Sequence, residues 1–108
     1  MKSAGSRFKG CWKIVWMDMW DQDYVDEEVP GHVTFGEKGG GEFQFGYVSG
    51  SFAWSAENDY VDALWEGNAE MDPAHGSIYC KIENEELHGT IRFFNGDESD
   101  FRAVRENK

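Results

Sequence analysis

The sequence predicts an all-β domain, a single eight-stranded antiparallel up-and-down β-barrel. Apolar and polar residues alternate in eight short runs, and short segments rich in Gly, Asn and Asp join these runs. No apolar repeat with a helical period extends beyond a turn or two. Alternation is typical of strands, and even spacing with short turns favours a meander that closes into a barrel. Closure would also remove the exposed edges of an open sheet.

Length and composition agree with this fold class. The chain has 108 residues, a common size for one domain, with 16% aromatic residues, 13 Gly and 2 Pro. Aromatic residues favour strands and Gly favours turns. We therefore expect residues 1–108 to form a single barrel domain, with residues 1–6 as a disordered tail.

The elements are expected in the following order. Residues 8–17 form the first strand, and the acidic residues 18–31 hold one short helical turn before ending in Pro30-Gly31. The remaining strands are expected at residues 32–36, 42–48, 51–56, 60–71, 77–82, 87–94 and 98–105. The turns between them include residues 37–41, 49–50, 72–76 and 95–97.

Period-two alternation assigns one face of each strand to the interior. On the first strand, Phe8, Gly10, Trp12, Ile14 and Trp16 share that face, and Val15 and Met17 share the other. The predicted inward set is Trp12, Ile14, Val33, Phe35, Phe43, Phe45, Phe52, Trp54, Val61, Trp65, Ile78, Ile82, Leu87, Ile91, Phe93 and Phe101. A barrel of this size is either filled by such side chains or leaves room for one small ligand.

The two chain ends carry a recognisable pattern. Gly10-Cys11-Trp12 lies in the first strand, and Arg102 and Arg105 lie near the end of the last. This resembles the calycin pattern of lipocalins, fatty-acid-binding proteins and avidins. The resemblance implies that the Arg packs across the Trp12 indole and closes the barrel. Arg105 takes this role if Phe101 and Ala103 point inward, and Arg102 takes it if the register slips by one residue. Binding of an anionic ligand group is the alternative role for this Arg.

The resemblance also implies that residues 18–31 cover the open end of the barrel. Trp20, Tyr24 and Val25 give this segment an apolar side, while its carboxylates remain in water. We expect non-catalytic binding of a small apolar or aromatic molecule, neutral or cationic because the acidic rim repels anions. Candidate ligand-binding residues are Trp12, Trp20, Tyr24, Phe35, Phe45, Trp54, Trp65, Phe93 and Arg105.

Two other functional classes remain open. Polar clusters at residues 66–72 and 95–100 could gather at one barrel end and supply the acid and base of a small enzyme. Alternatively, a filled barrel could serve as a structural module that assembles with itself. Val15, Met17, Leu64 and Val104 are apolar at outward positions, and they suggest a possible homodimer.

Several classes are disfavoured. The acidic residues 21–28 lack the Gly of a calcium loop, and His32, His75 and His88 belong to no ligand cluster, so neither a metal nor a cofactor is expected. A net charge of −11 disfavours nucleic acid and anionic membranes. Cys11 and Cys80 are expected to be reduced thiols, and without a signal-peptide core or an apolar span we expect a cytoplasmic protein.

Overall fold

A computed structural model describes residues 7–36, 38–55, 60–94 and 96–106. Eight antiparallel strands follow each other around a closed barrel, in which the last strand pairs with the first. The elements are β1 (Gly10–Met17), α1 (Gln22–Val25), β2 (His32–Phe35), β3 (Gly40–Phe45), β4 (Val48–Ala53), β5 (Tyr60–Ala69), β6 (Asp72–Glu83), β7 (Glu86–Phe93) and β8 (Glu98–Arg105). The all-β class, the up-and-down topology and the short helical turn are confirmed. The expected tail, residues 1–6, lies outside the described residues.

The meander gives the barrel two distinct ends. At the lid end, β1 finishes and β2 begins, and residues 18–31, here called the lid, connect them. The β3–β4, β5–β6 and β7–β8 hairpins turn at this same end. At the far end, β1 begins and β8 finishes. Each hairpin therefore contributes its turn residues to one end or the other.

The core follows the predicted alternation. Of the predicted inward residues, only Trp54 and Ile82 are half-buried, and the others are buried. Glycines provide space for several of the rings. A Cβ at Gly50 would lie 2.7 Å from the Trp65 ring and 2.8 Å from the Phe43 ring, and a Cβ at Gly89 would lie 2.5 Å from the Phe101 ring. Large and small residues thus alternate between neighbouring strands, as close packing of a small interior requires.

The expected faces of Trp16 and Met17 were wrong. Trp16 is 42% exposed and Met17 only 4%. Ile14 pairs with Ala103, but Trp16 pairs with Arg102, so β1 contains one more residue than β8 between these pairs. This β-bulge reverses the alternation of the residues that follow it. Trp16 therefore joins Arg102 on the outer surface, and Met17 points inward beside Phe101.

Two expected turns were also misplaced. The β3–β4 turn lies at Gly46 and Tyr47, not at residues 49–50, because Gly46 adopts a φ of +56°. The β5–β6 turn lies at Glu70 and Met71, whose φ angles are 52° and 80°, not at residues 72–76. Those residues instead open β6. Residues 72–75 precede Gly76, the first residue of β6 that pairs with β7 among the described residues, so Pro73 lies in a part of the strand that has a ladder with β5 alone there.

Candidate functional site

The nine candidate ligand-binding residues fall into two groups at opposite ends of the barrel. Trp20, Tyr24, Phe45, Trp65 and Phe93 form a connected set of rings towards the lid end. Trp12, Phe35, Trp54 and Arg105 lie towards the far end. The structure therefore does not bring all nine together around one ligand.

Arg105 seals the far end against Trp12. Its guanidinium carbon lies 4.0 Å from the Trp12 ring centroid, and burial lowers the pKa of the Arg105 guanidinium. Its two terminal nitrogens donate to the carbonyls of Lys9, at 2.5 Å, and Arg7, at 2.6 Å. The Trp12 indole donates in turn to the carbonyl of Phe8, at 2.9 Å. This is the closing contact that the resemblance implies. Arg102 instead lies on the outer surface, 5.9 Å from the Trp16 centroid.

Phe8 completes the seal of the far end. Its ring, which is 2% exposed, lies 5.5 Å from Phe35 and 6.3 Å from Trp54 between ring centroids. The Trp54 indole donates to the carbonyl of Gly40, at 3.1 Å. Phe8 was expected inside the first strand, but it precedes β1 and folds over its end. The aromatic residues here pack against one another and against backbone carbonyls.

Trp20 occupies the lid end of the barrel. Its ring centroid lies 5.0 Å from Phe45, 6.1 Å from Phe93 and 6.3 Å from Tyr24. Trp65 lies deeper in the barrel, with its ring centroid 5.2 Å from that of Phe93. The lid therefore places an indole against rings that would otherwise face solvent at this end.

Hydrogen bonds within the lid and between the lid and two neighbouring turns fix it in this position. Asp21 caps α1 by accepting from the Tyr24 amide at 3.0 Å, which is typical of an N-cap carboxylate. The Tyr24 hydroxyl donates to Glu70 Oε2 at 3.0 Å. The Gly46 amide donates to the carbonyl of Val25, a fully buried residue, at 2.9 Å. Gly46 has no side chain, and the Tyr24 ring occupies the space that a Cβ would need.

Asp26 holds the end of the lid. Its Oδ1 accepts from the Gly31 amide at 2.8 Å and its Oδ2 from the Gln22 side chain at 3.2 Å. The Lys13 ammonium lies 3.9 Å from Oδ1. Partial burial by itself would raise the pKa of Asp26, but these hydrogen bonds and the Lys13 charge together hold it below its ordinary value. The ionised carboxylate therefore stabilises the closed lid.

The interior between the two ends is nearly filled. One cavity within the central core has a volume of about 10 Å³ and is bordered by buried residues such as Ile14, Phe43 and Ile78. This is about the volume that one water molecule needs. Room for a larger molecule inside the barrel would have to come from movement of the lid and of Trp20.

Both carboxylate clusters gather at the lid end, but their described acidic residues remain at the surface. Residues 66–72 include the β5–β6 turn and residues 95–100 the β7–β8 turn, with Asn95 outside the described residues. In the described part of the chain, Ser99 is the only polar residue that is fully buried, and it accepts from the amides of Asp18 and Met19. None of these carboxylates therefore has the burial that tunes a catalytic acid or base.

The other reactive side chains are accounted for by local contacts. His75 packs edge-on against Phe94, and His88 lies 3.4 Å from a Glu86 oxygen. Cys11 and Cys80 are free thiols, and complete burial raises the pKa of Cys80. Within the described ranges, the acidic, His and Cys side chains form no group that could hold a metal ion.

Comparison with known proteins returned no relative. No family model, no curated protein and no solved structure matched the chain. Among the described residues, no helix has the length and apolar character needed to span a membrane. The chain is an eight-stranded antiparallel β-barrel, which is compatible with a calycin-like fold.

Proposed function

We propose that this barrel binds a small neutral or cationic aromatic molecule at its lid end, and that the ligand takes the place of the Trp20 side chain. The observation that carries the proposal is the position of Trp20 between Phe45 and Phe93. An indole already fits against these rings, so a free aromatic molecule of similar size meets the same surface.

Binding would require the lid to move away from the barrel. The lid contributes one four-residue helix, and its contacts with the barrel include those of Trp20, Tyr24 and Val25. Opening it would expose Phe45 and Phe93 and give access to Trp65 beneath them. A ligand would thus compete with the lid. Its apparent affinity would be lower when a larger fraction of the molecules is in the closed state.

The charge of the lid end supports the choice of ligand class. Asp21, Asp23, Glu27 and Glu28 are exposed on the lid, and Glu70 lies beside Tyr24. This negative rim disfavours anions, while aromatic faces attract cations held close to them. Neutral and cationic aromatic molecules therefore suit this end of the barrel better than fatty acids or phosphates.

A fluorescence screen tests the proposal. Neutral and cationic aromatic compounds are titrated into the parent and into a Trp20→Ala, Tyr24→Ala variant, with tryptophan emission as the readout. If the lid is a gate, some compound binds the parent, and the double variant binds it more tightly because no indole competes. Trp54→Ala, at the far end, is the matched control and should leave the affinity unchanged. If nothing binds the parent, and the double variant loses stability without gaining a ligand, the lid is a plug and the proposal fails.

A further inference from the structure

The lid contacts the barrel through two side chains of different chemistry. Trp20 places an indole against Phe45 and Phe93, and the Tyr24 hydroxyl donates to Glu70 Oε2 at 3.0 Å. The two lid rings stack on each other, with 6.3 Å between their centroids. The lid therefore presents an aromatic ring and, close to it, a hydrogen-bond donor, and the barrel contacts them with aromatic rings and a carboxylate.

The β5–β6 turn fixes the position of Glu70. The Glu70 amide donates to the carbonyl of Tyr47 at 2.9 Å, and this bond ties the β5–β6 turn to the β3–β4 turn. The Tyr47 amide donates to the Tyr24 hydroxyl at 3.3 Å. The Tyr24 hydroxyl thus accepts from one turn and donates to the other. The backbone of Glu70 is held by the barrel and not by the lid.

The Glu70 carboxylate has a neutral partner in the closed lid. Glu70 is exposed, and none of the ion pairs among the described residues includes it. Partial burial, together with the Glu70 charge, raises the pKa of the Tyr24 hydroxyl, so this hydroxyl remains a neutral donor. A cationic donor makes a stronger hydrogen bond to a carboxylate than a neutral donor does. An ammonium group in the place of the Tyr24 hydroxyl would therefore be a better partner for Glu70.

Other carboxylates at this end are less suited to hold a cation beside the rings. Asp21 and Asp26 accept hydrogen bonds within the lid, and Asp23 is exposed on the lid itself. All three would move with the lid when it opens. Glu70 belongs to the barrel, so it would remain beside the position that the Trp20 indole leaves.

We propose that the lid-end site selects protonated aromatic amines and that Glu70 is the specificity-determining residue that holds the ammonium group. This inference rests on the proposed binding function of the lid end. The ring of the amine takes the place of the Trp20 indole, and its ammonium group, on a short alkyl chain, takes the place of the Tyr24 hydroxyl. The lid is thus an internal competitor that fills both positions with neutral groups. A neutral aromatic molecule competes for the ring position alone.

Calorimetric titration with two indole compounds tests the proposal. Tryptamine carries an ammonium group on a short chain, and tryptophol carries a hydroxyl group on the same chain. We expect the parent to bind tryptamine about three- to fivefold more tightly than tryptophol, which corresponds to one exposed ion pair. Trp20→Ala, in which the indole of the lid no longer competes, should bind both compounds more tightly and keep the same preference.

Three substitutions, made in the parent and in the Trp20→Ala protein, locate the preference at Glu70. Glu70→Gln keeps an oxygen that accepts from the Tyr24 hydroxyl, so it should remove the preference for tryptamine and leave the affinity for tryptophol nearly unchanged. Glu85→Gln makes the same change in the β6–β7 turn at the far end, where Glu85 also has a positive φ, of 66°, and should alter neither affinity. Asp23→Asn removes one charge from the lid and should weaken tryptamine binding less than Glu70→Gln does.

The possible results separate this inference from the proposed function. Equal affinities for tryptamine and tryptophol, or a loss of the preference in Asp23→Asn or Glu85→Gln as large as in Glu70→Gln, would overturn the role of Glu70 and leave the lid-end site in place. If neither compound binds the parent or the Trp20→Ala protein, the lid-end site is wrong for this ligand class, and the selection of amines is wrong with it.

Discussion

The guanidinium of Arg105, near the end of the last strand, lies over the indole of Trp12, in the first strand, at 4.0 Å from the ring centroid. The two residues are 93 positions apart in the sequence, and this contact joins the strands that close the barrel. The same Arg105 side chain holds the carbonyls of Arg7 and Lys9, so it also fixes the segment that precedes β1.

Trp12→Ala should destabilise the fold severely. The ring is 1% exposed, and removing a buried aromatic side chain of this size typically costs about 3–5 kcal/mol. A small domain has little more than this to lose. Chemical denaturation measures the change, and a variant within a few tenths of a kcal/mol of the parent would show that Trp12 is not a core anchor.

Arg105→Met should cost about 1–3 kcal/mol, because it removes a stacked cation and two charge-assisted hydrogen bonds while keeping an apolar side chain over the ring. Arg92→Met is the matched control. Arg92 pairs with Glu98 at 3.1 Å on the exposed outer surface, where an ion pair contributes about 0–1 kcal/mol. Urea unfolding measures the loss of unfolding free energy in each variant, and the loss should be larger for Arg105→Met. Equal losses would contradict the closing role of Arg105.

Acid should loosen the lid through Asp26. The folded-state pKa of this carboxyl lies below its ordinary value of 3.8, so its contribution to stability is present above that pH and is lost as the pH falls through the folded value. Asp26→Asn should therefore lower the melting temperature at neutral pH and flatten its decline between about pH 5 and pH 2. Asp23→Asn, on the exposed side of the same helix, is the control. A decline as steep as in the parent would show that Asp26 does not hold the lid.

A weak homodimer is expected through the outer surface around the bulge. Trp16 is 42% exposed there, and Val15 and Val104 are half-buried beside it on the paired strands β1 and β8. Trp16→Ser should shift the protein to monomer in sedimentation at micromolar concentration. Met71→Ser removes an even more exposed apolar side chain, at 94%, and should leave the association unchanged. A parent that is monomeric throughout would contradict this prediction.

The alternation of the strands could be read from the sequence because each inward residue has a polar neighbour. The sequence around Trp16 offers no such contrast. Ile14, Val15, Trp16 and Met17 are all apolar, so an extra residue in the strand leaves no trace in the pattern. The bulge appears only when β1 is paired with Arg102 and Ala103. Pairing with a distant strand, not local preference, decides which of the four points outward.

The turn positions show a related limit. Residues 72–76 contain Pro and Gly and therefore favour a turn, yet the chain reverses at Glu70 and Met71, which are not turn formers. Ten residue pairs between β5 and β6 run from Tyr60 and Lys81 to Ala69 and Asp72. The register of this long ladder, with its buried face, outweighs the local cost of positive φ at two residues.

The candidate site was predictable in composition but not in position. Period two assigns Phe35, Phe45 and Trp54 to the interior, but it does not say at which height along the barrel each one lies. That depends on the length of every hairpin. The structure therefore separates Trp54 from Trp20 although the sequence grouped them, and it brings Trp20 against Phe45 and Phe93.

A substitution at Gly46 tests most directly whether opening of the lid permits ligand binding. A Cβ at this residue would lie 2.2 Å from the Tyr24 ring, so Gly46→Ala should push Tyr24 away and open the lid without removing any ring of the proposed site. Gly39→Ala is the matched control. Gly39 also has a positive φ, of +88°, but among the described residues a Cβ there would come within 4 Å of the Trp54 carbonyl alone, at 3.6 Å, at the far end.

The decisive measurement is the dissociation constant of one neutral or cationic aromatic compound for the parent, Gly46→Ala and Gly39→Ala proteins. If the lid gates a binding site, Gly46→Ala binds on the order of tenfold more tightly than the parent, because more molecules are open, and Gly39→Ala binds like the parent. If Gly46→Ala melts at a lower temperature but binds no compound better than the parent does, the lid only plugs a filled barrel, and the proposed binding function is wrong.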